Sequence, residues 1–514
     1  MESLGLLANG FAVVFSPQNL LFVTLGVTIG TVIGVLPGLG PTATIALLLP
    51  ITYSISPEAS IMMLAGVYYG SMYGGTITSV LLRIPGEAAS AITAVDGYEM
   101  TRRGRGGPAL GIAAIGSWIG GTVSIFGLVF VAPLLASFAL RFGPPEYAAL
   151  TLLGLVLVTY LGTKSTIKSV IAALFGLLLA VIGPDPIQGT SRFSFGLTEM
   201  ISGVDLVAIA MGVFGIGEIM YNLEKKLTGT GKIGSIDRIL PTRDDWKQSR
   251  APIARGTLLG FPIGMLPGGG GVMSSLASYA TEKKVAKDPS RFGHGAIEGV
   301  AGPETANNAS SISAFIPLLT LGLPSNAVLA LILGALMQQD ITPGPGLIEE
   351  QPDLFWGVIA SMFVGNLILL ALNLPFVGIF VQLLRVRIGI IGGVALLVTL
   401  IGVYTISYSE FDMWIMLVAG LFGYLMRKTG FEPAPLILAF VLGSVLEVAA
   451  RQSLLISDGS LSIFVSRPIS GTIIAIACFV LASSIVGAVR RRRRPRGDQP
   501  GGLIGMTKQL SSED

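Results

Sequence analysis

An all-α polytopic membrane protein made of two inverted repeats is the fold class this sequence predicts. Each repeat would hold a re-entrant helical hairpin and a broken transmembrane helix, an arrangement that suits elevator-type movement. Three observations carry the prediction. Apolar residues fill 52% of the 514 positions and charged residues only 12%, with a mean hydropathy of +0.75. Ordinary soluble domains do not reach that composition. One pattern occurs twice, as Gly30-xxx-Gly34-x-Leu36-Pro37-Gly38-x-Gly40 and as Gly260-xxx-Gly264-x-Leu266-Pro267-Gly268-x-Gly270. Matched helix breaks in two halves of a membrane chain point to a transporter binding site. Finally, lysine and arginine gather in loops whose sidedness reverses between the halves, as the retention of basic loops in the cytoplasm requires.

Composition excludes several classes. The single cysteine, Cys478, rules out an internal disulfide, and with the single histidine, His294, it leaves no Cys/His metal site. The net charge of +3 suggests no nucleic-acid partner. No basic residue precedes Arg83, so the N-terminus lacks the basic start of a cleavable signal peptide.

The elements follow in order. Residues 1–18 form an N-terminal interfacial segment, helical near 4–15. Residues 19–100 hold the first hairpin and broken helix. The stretch 20–50 lies between Lys/Arg-free flanks and is too long for one crossing and too short for two, so it starts and ends outside with Pro37-Gly38-Leu39-Gly40 at its tip. Residues 59–95 then cross inward to the Arg102-Arg103-Arg105 loop, interrupted at Ile84-Pro85-Gly86. Residues 101–225 supply crossings near 109–140, 147–162, 169–183 and 203–222. A cytoplasmic linker fills 226–253. Residues 254–337 hold the second hairpin and broken helix: 254–281 is flanked by basic loops and starts and ends inside. The stretch 304–337 crosses outward, broken at Leu323-Pro324-Ser325-Asn326. Residues 338–489 give crossings near 354–384, 388–404, 412–426, 434–450 and 469–489, and 490–514 is a basic, then polar, disordered cytoplasmic tail. Arg141, Arg192, Arg451 and Arg467 are exceptions on stretches placed outside. This topology puts Ser54 and Lys284 on opposite sides of the membrane.

A broken helix exposes free N–H groups and a positive dipole end that suit a carboxylate. Unwound carbonyls and Thr, Ser and Asn oxygens suit Na⁺. Irregular backbone at membrane depth is tolerated only against protein or a water-filled cavity, so the four breaks should converge. The candidate substrate- or ion-binding residues of the first hairpin are Pro37, Gly38, Gly40, Thr42 and Thr44. The first crossing adds Gly74, Gly75, Thr76, Thr78, Pro85, Gly86 and Ser90. The second hairpin contributes Pro267, Gly268, Gly270, Ser274 and Ser275, and the second crossing Glu304, Asn307, Asn308, Ser310, Ser311, Pro324, Ser325 and Asn326. Competing readings stand beside these. GxxxG spacing marks packing faces, and Ser and Thr back-bond to their own helix. Arg83 either meets a substrate carboxylate or snorkels to the surface. Glu304 either binds a coupling cation or proton or caps a helix beginning at Thr305. His294 reads as a solvated loop residue. The Gly268–Gly271 run lacks the Gly-Lys-Ser/Thr ending of a phosphate loop, and neither HExxH nor a nucleophilic triad is present, so an enzyme is disfavoured and no cofactor is expected. A channel with re-entrant pore loops is the rival function. A scaffold would need no paired breaks, and a lipid-modifying enzyme would need acid–base groups that are scarce here.

The chain resembles the large membrane subunit of the tripartite tricarboxylate transporters. The resemblance runs to about residue 485. It is carried by Gly34-Val35-Leu36-Pro37-Gly38-Leu39-Gly40-Pro41, Tyr68-Tyr69-Gly70-Ser71-Met72-Tyr73-Gly74-Gly75, Ile84-Pro85-Gly86, Asp96-Gly97-Tyr98, Phe142-Gly143-Pro144-Pro145-Glu146-Tyr147, Pro303-Glu304-Thr305-Ala306-Asn307-Asn308 and Ile316-Pro317-Leu318-Leu319-Thr320-Leu321-Gly322. It implies a multi-pass protein of the bacterial inner membrane with a cytoplasmic C-terminus. It also implies a small membrane subunit of about four helices, a periplasmic binding protein that delivers the substrate, and uptake of citrate or another carboxylate by Na⁺ or H⁺ symport. Electrostatics agrees with coupling: a trianion entering a negative interior faces roughly 7 kcal/mol per 100 mV, at about 2.3 per charge.

Overall fold

The computed structural model describes residues 2–36, 40–161, 165–224, 238–383 and 388–493. Pro37 and Gly38 of the first hairpin tip lie outside the described residues, as do Lys164, Arg385 and Arg387, residues 226–237 of the expected linker, and the tail from residue 494.

The chain opens with α1 (Glu2–Val14), α2 (Pro17–Val35), α3 (Pro41–Thr52) and α4 (Pro57–Leu82). The last three begin at a proline, whose missing N–H costs nothing in a first turn. A 3-10 turn at Ala88–Ala91 leads to α5 (Thr93–Arg102), then α6 (Gly106–Ala139), α7 (Pro144–Leu161) and α8 (Thr166–Ala180). A small antiparallel β-hairpin, Gly183–Pro184 against Ser191–Arg192, departs from the all-helical expectation. α9 (Leu206–Ala210) continues through a π-helical turn, Met211–Ile216, into α10 (Gly217–Glu224).

The second half has α11 (Arg243–Gly264), α12 (Gly270–Val285), α13 (Glu298–Ser313), α14 (Phe315–Leu321) and α15 (Ala327–Gln338). After the short α16 (Leu347–Glu350), the crossing expected at 354–384 is two helices, α17 (Pro352–Asn373) and α18 (Val377–Leu383). Pro375 sits between them and has no N–H to continue the ladder. α19 (Ile388–Ser407), α20 (Glu410–Lys428), α21 (Ala434–Ile456), α22 (Ile463–Ser466) and α23 (Pro468–Arg493) complete the order. α23 carries the helix through Arg490–Arg493, which the sequence reading gave to the tail. Five stretches among the described residues are long and apolar enough to cross a membrane: Pro17–Val35, Gly106–Ala139, Leu206–Glu224, Pro352–Asn373 and Ala434–Ile456.

Two glycine seams organise the interior. Along α2, a methyl group on Gly26, Gly30 or Gly34 would lie 2.3, 2.5 or 2.4 Å from the carbonyl oxygens of Met63, Val67 and Ser71 in α4. Along α11, a methyl on Gly256, Gly260 or Gly264 would lie 2.5, 2.3 or 2.2 Å from the carbonyl oxygens of Gly302, Ala306 and Ser310 in α13. Such approach is open only to glycine, and it builds dispersion contact where lipid supplies no hydrophobic drive. The GxxxG half of the repeated motif is therefore a packing face in both copies. α2 pairs with α4 rather than lying mainly along α3, and it is span-length by itself. α1 docks on α17, with Leu7 and Val14 buried and Gly10 against the Trp356 carbonyl.

Three of the four arginines that broke the charge pattern are neutralised. Arg192 bonds Glu447 at 2.5 Å, Arg451 bonds Asp185 at 2.5 Å and Glu447 at 3.1 Å, and Arg467 bonds Glu146 at 3.0 Å. These pairs tie the β-hairpin to α21, and the start of α7 to the loop before α23. The hydrogen bond from Arg451 holds the Asp185 carboxyl below the usual carboxylate range. A lowered folded pKa stabilises above the ordinary value and is lost only as pH falls through the lowered one. Amide protection across residues 183–192, taken relative to the intrinsic exchange rate at each pH, is therefore expected to hold from pH 7 down to pH 4. It should fall at pH 7 in Arg451→Ala, measured by hydrogen–deuterium exchange.

Candidate functional site

The two breaks have the same local chemistry. α4 ends at Leu82, and Arg83 takes a left-handed conformation at φ 61°. Ile84-Pro85-Gly86 follows, and Glu87 then caps the next turn by accepting from the Ala89 N–H at 2.6 Å. α14 ends at Leu321, and Gly322 is left-handed at φ 67°. Leu323-Pro324-Ser325 follows, and Asn326 caps α15 by accepting from the Leu329 N–H at 3.0 Å. Each break is thus a left-handed residue, an apolar residue, a proline, a small residue and an oxygen-bearing cap. Arg83 stands where the second break has glycine, and its side chain is exposed. Arg83→Gly should remove left-handed strain and stabilise the protein by about 0.5–1 kcal/mol, read as a raised melting temperature. Arg83→Lys should leave it unchanged.

Gly86 seats the first break. A methyl there would lie 2.0 Å from the Gly34 carbonyl oxygen, 2.6 Å from Gly75 Cα and 2.8 Å from Thr78 Oγ1. Gly75 in turn faces Glu87 Cγ, and Gly74 packs on the Thr31 carbonyl. Ser79 Oγ donates to Ser90 Oγ at 2.8 Å, and Ser90 donates to the Glu87 carbonyl at 2.9 Å. Thr78 turns back to the Gly75 carbonyl at 3.1 Å. Thr44 likewise back-bonds to Gly40, while Thr42 is half-buried on the first turn of α3.

The second hairpin tip meets the second break. Gly268 is left-handed at φ 75° and donates its N–H to the Ser325 carbonyl at 2.7 Å; Pro267 precedes it, and Gly270 opens α12. Ser274 Oγ donates to Ser310 Oγ at 3.0 Å, and Ser275 Oγ to the Pro303 carbonyl at 3.2 Å. Asn326 Nδ2 donates to Tyr68 Oη at 3.0 Å. α13 joins the two assemblies. Asn307 Nδ2 donates to Glu87 Oε1 at 3.1 Å, and Ser310 and Ser311 back-bond to the Asn307 carbonyl. Asn308 Nδ2 donates to Ser117 Oγ at 2.7 Å. The first break, the second hairpin and the second break are therefore brought together around α13. The Ser325 hydroxyl and Asn307 Oδ1 are buried without partners among the described residues.

Glu304 is fully buried inside α13, six residues after its start at Glu298, so it does not cap a helix beginning at Thr305. Its carboxylate accepts from Thr76 Oγ1 at 2.6 Å and Thr93 Oγ1 at 2.5 Å. Beside it lies a small cavity lined by Tyr73, Thr76, Ser117 and Asn373 among others. His294 is exposed, as expected of a loop residue.

Glu87 escaped the sequence reading, which stopped the first break at Gly86. Aligning the breaks on their prolines would have found it opposite Asn326. Seven acidic side chains are buried among the described residues: Glu87, Asp96, Glu146, Asp185, Asp245, Glu282 and Glu304. Glu146, Asp185, Asp245 and Glu282 each pair with an arginine. Asp96 accepts from three backbone N–H groups and the Tyr279 hydroxyl. Glu87 and Glu304 have neutral donors and no cationic partner among the described residues.

The hairpins and breaks also differ in capping. α3 and α12 have Gly40 and Gly269 at their N-caps and no side-chain cap among the described residues. First-turn N–H groups and positive helix ends suit an anion.

Comparison with known proteins supplies the family. The sequence profile of the tripartite tricarboxylate transporter TctA family matches residues 20–438. An Agrobacterium vitis protein described as an uncharacterized 52.8 kDa protein in the TAR-I ttuC' 3' region is 46% identical over 495 residues, covering 96% of this chain and 98% of that one. A second A. vitis protein, described by its place in the TAR-II ttuC' 3' region, is 47% identical over 234 residues, covering 46% of this chain and 97% of its own length. No solved structure matches. With its profile spanning most of the chain, and with helices long and apolar enough to cross a membrane several times, this multi-pass protein belongs to the tripartite tricarboxylate transporter TctA family.

Proposed function

We propose that this chain is the membrane carrier of a bacterial uptake system for citrate or a related organic acid, driven by Na⁺ or H⁺ symport. One observation carries the reading. The uncapped N-termini of α3 and α12 stand at the two hairpin tips, while both breaks are capped by the chain's own Glu87 and Asn326. Substrate carboxylates fit the uncapped ends, and the oxygen-rich breaks fit cations. Re-entrant hairpins in two inverted repeats, moving as an elevator, would expose this site to each side in turn. A periplasmic binding protein would deliver the acid, and a small membrane subunit would flank the carrier in the inner membrane, with the C-terminus cytoplasmic. Co-transported cations must at least cancel the roughly 7 kcal/mol per 100 mV that a trianion faces.

The test is uptake of radiolabelled citrate into proteoliposomes holding this chain and its small partner, with the binding protein outside. Accumulation that needs the binding protein and an inward Na⁺ or H⁺ gradient is expected. Uptake indifferent to both gradients would remove the symport reading, and transport of other di- or monocarboxylates in place of citrate would reassign the substrate.

A further inference from the structure

We infer that Glu87 and Asn307 together hold a monovalent hard cation at the first break. The proposal rests on the reading of the chain as a cation-coupled carrier and assigns that coupling to named atoms.

Glu87 is 9% exposed. A buried carboxylate needs an opposite charge or a full set of donors, and four of the buried acids here obtain an arginine. Glu87 obtains only neutral donors, the Ala89 N–H, Asn307 Nδ2 and, more weakly, the Ser90 N–H, for about four lone-pair sites. The missing charge has to come from outside the described chain.

Asn307 supplies the second observation. Its side chain is fully buried, its Nδ2 is bonded to Glu87, and its Oδ1 has no partner among the described residues. Turning the amide over would put the oxygen where the nitrogen now stands, 3.1 Å from Glu87 Oε1. That is the spacing of two oxygens sharing one hard cation at roughly 2.4 Å from each. Without an ion, the same orientation sets two acceptors face to face. Cation binding and amide orientation are thereby linked. One carboxylate and one amide suit a single positive charge, and no group of three or more His, Cys, Asp or Glu side chains exists among the described residues to hold a more highly charged metal.

The position explains how an ion would reach the hairpin. A methyl on Gly271, in the first turn of α12, would lie 2.2 Å from Asn307 Oδ1 and 2.8 Å from Ala89 Cβ. The second hairpin therefore rests directly on the amide and on the turn that Glu87 caps. Ion binding resets the surface on which that hairpin closes.

The experiment follows the melting temperature of the purified full chain during NaCl titration, with choline chloride holding ionic strength constant. Wild type should show a saturable, Na⁺-specific rise. Glu87→Gln should lose that response while melting no lower than wild type in Na⁺-free buffer, because a buried unpaired charge is gone. Asn307→Asp adds a carboxylate and should lower the Na⁺ midpoint at least fivefold; this variant keeps Glu87 and decides the matter if Glu87→Gln does not fold. A wild-type melting temperature that follows pH but not Na⁺ would assign the neutralising charge to a proton and overturn the proposal. A wild-type Na⁺ midpoint retained by Glu87→Gln would overturn it too. Gradient-driven citrate uptake with unchanged Na⁺ dependence in Glu87→Gln would sink this site and leave the carrier standing. A Na⁺ response lost in Glu87→Gln, with no carboxylate transported by wild type, would do the reverse.

Discussion

Replacing Asp96 with alanine is expected to prevent most of the protein from accumulating in a folded state. Asp96 is fully buried. Its Oδ1 accepts from the N–H groups of Gly293, Gly295 and Ala296 at 2.8–2.9 Å, and its Oδ2 from Tyr279 Oη at 2.9 Å. One side chain of the first half thus organises the loop entering α13 and a tyrosine of α12. Gly293 and Gly295 are left-handed, at φ 88° and 91°, and so turn their N–H groups toward the same oxygen. Alanine orphans three backbone donors and a phenol. At about 1–3 kcal/mol for each of the four orphaned groups, the loss is on the order of 4–12 kcal/mol, comparable to a typical 5–15 kcal/mol stability. Asp96→Asn keeps one carbonyl oxygen for the three N–H groups and should cost only about 1–2 kcal/mol. Fluorescence-detected size exclusion of tagged variants checks the order: wild type, then asparagine, then alanine. An alanine variant that elutes and melts like wild type would refute the clamp.

The clamp shows where sequence reasoning stops. The Asp96-Gly97-Tyr98 motif was visible, but its partners lie in residues 279–296, and nothing local announces them. The helices of the expected crossings were legible because long apolar runs have few alternatives, and both breaks were legible because Pro85 and Pro324 cannot continue a helix. The capping alternative for Glu304 fails because α13 begins at Glu298 and runs on through Pro303, held by the seam with α11. The glycine spacing announced a packing face without naming the partner, which only the placing of α4 and α13 supplies. Arg192, Arg451 and Arg467 broke the charge rule because that rule counts basic residues, while ion pairs with Glu447, Asp185 and Glu146 are three-dimensional facts.

Gly268→Val should abolish substrate uptake while leaving the protein in the membrane. Gly268 holds φ 75°, where a β-branched residue is a steric outlier and the left-handed conformation alone costs roughly 1–2 kcal/mol. Its N–H is the tether from the hairpin tip to the Ser325 carbonyl, at 2.7 Å. A tip that relaxes its backbone escapes this strain by turning the N–H away from Ser325. The strain, at least about 1–2 kcal/mol, therefore favours tips detached from the second break and leaves at least roughly 5- to 30-fold fewer carriers with the site assembled. The glycine seams and the Asp96 clamp are untouched, so insertion and yield should hold. Gly268→Ala faces the backbone cost without β-branching and should retain partial uptake. The measurement is initial uptake rate in proteoliposomes normalised to reconstituted protein. A valine variant transporting at the wild-type rate would mean that the tip and the second break need not stay joined, and would take Gly268 out of the transport site even though the hairpin fold is intact.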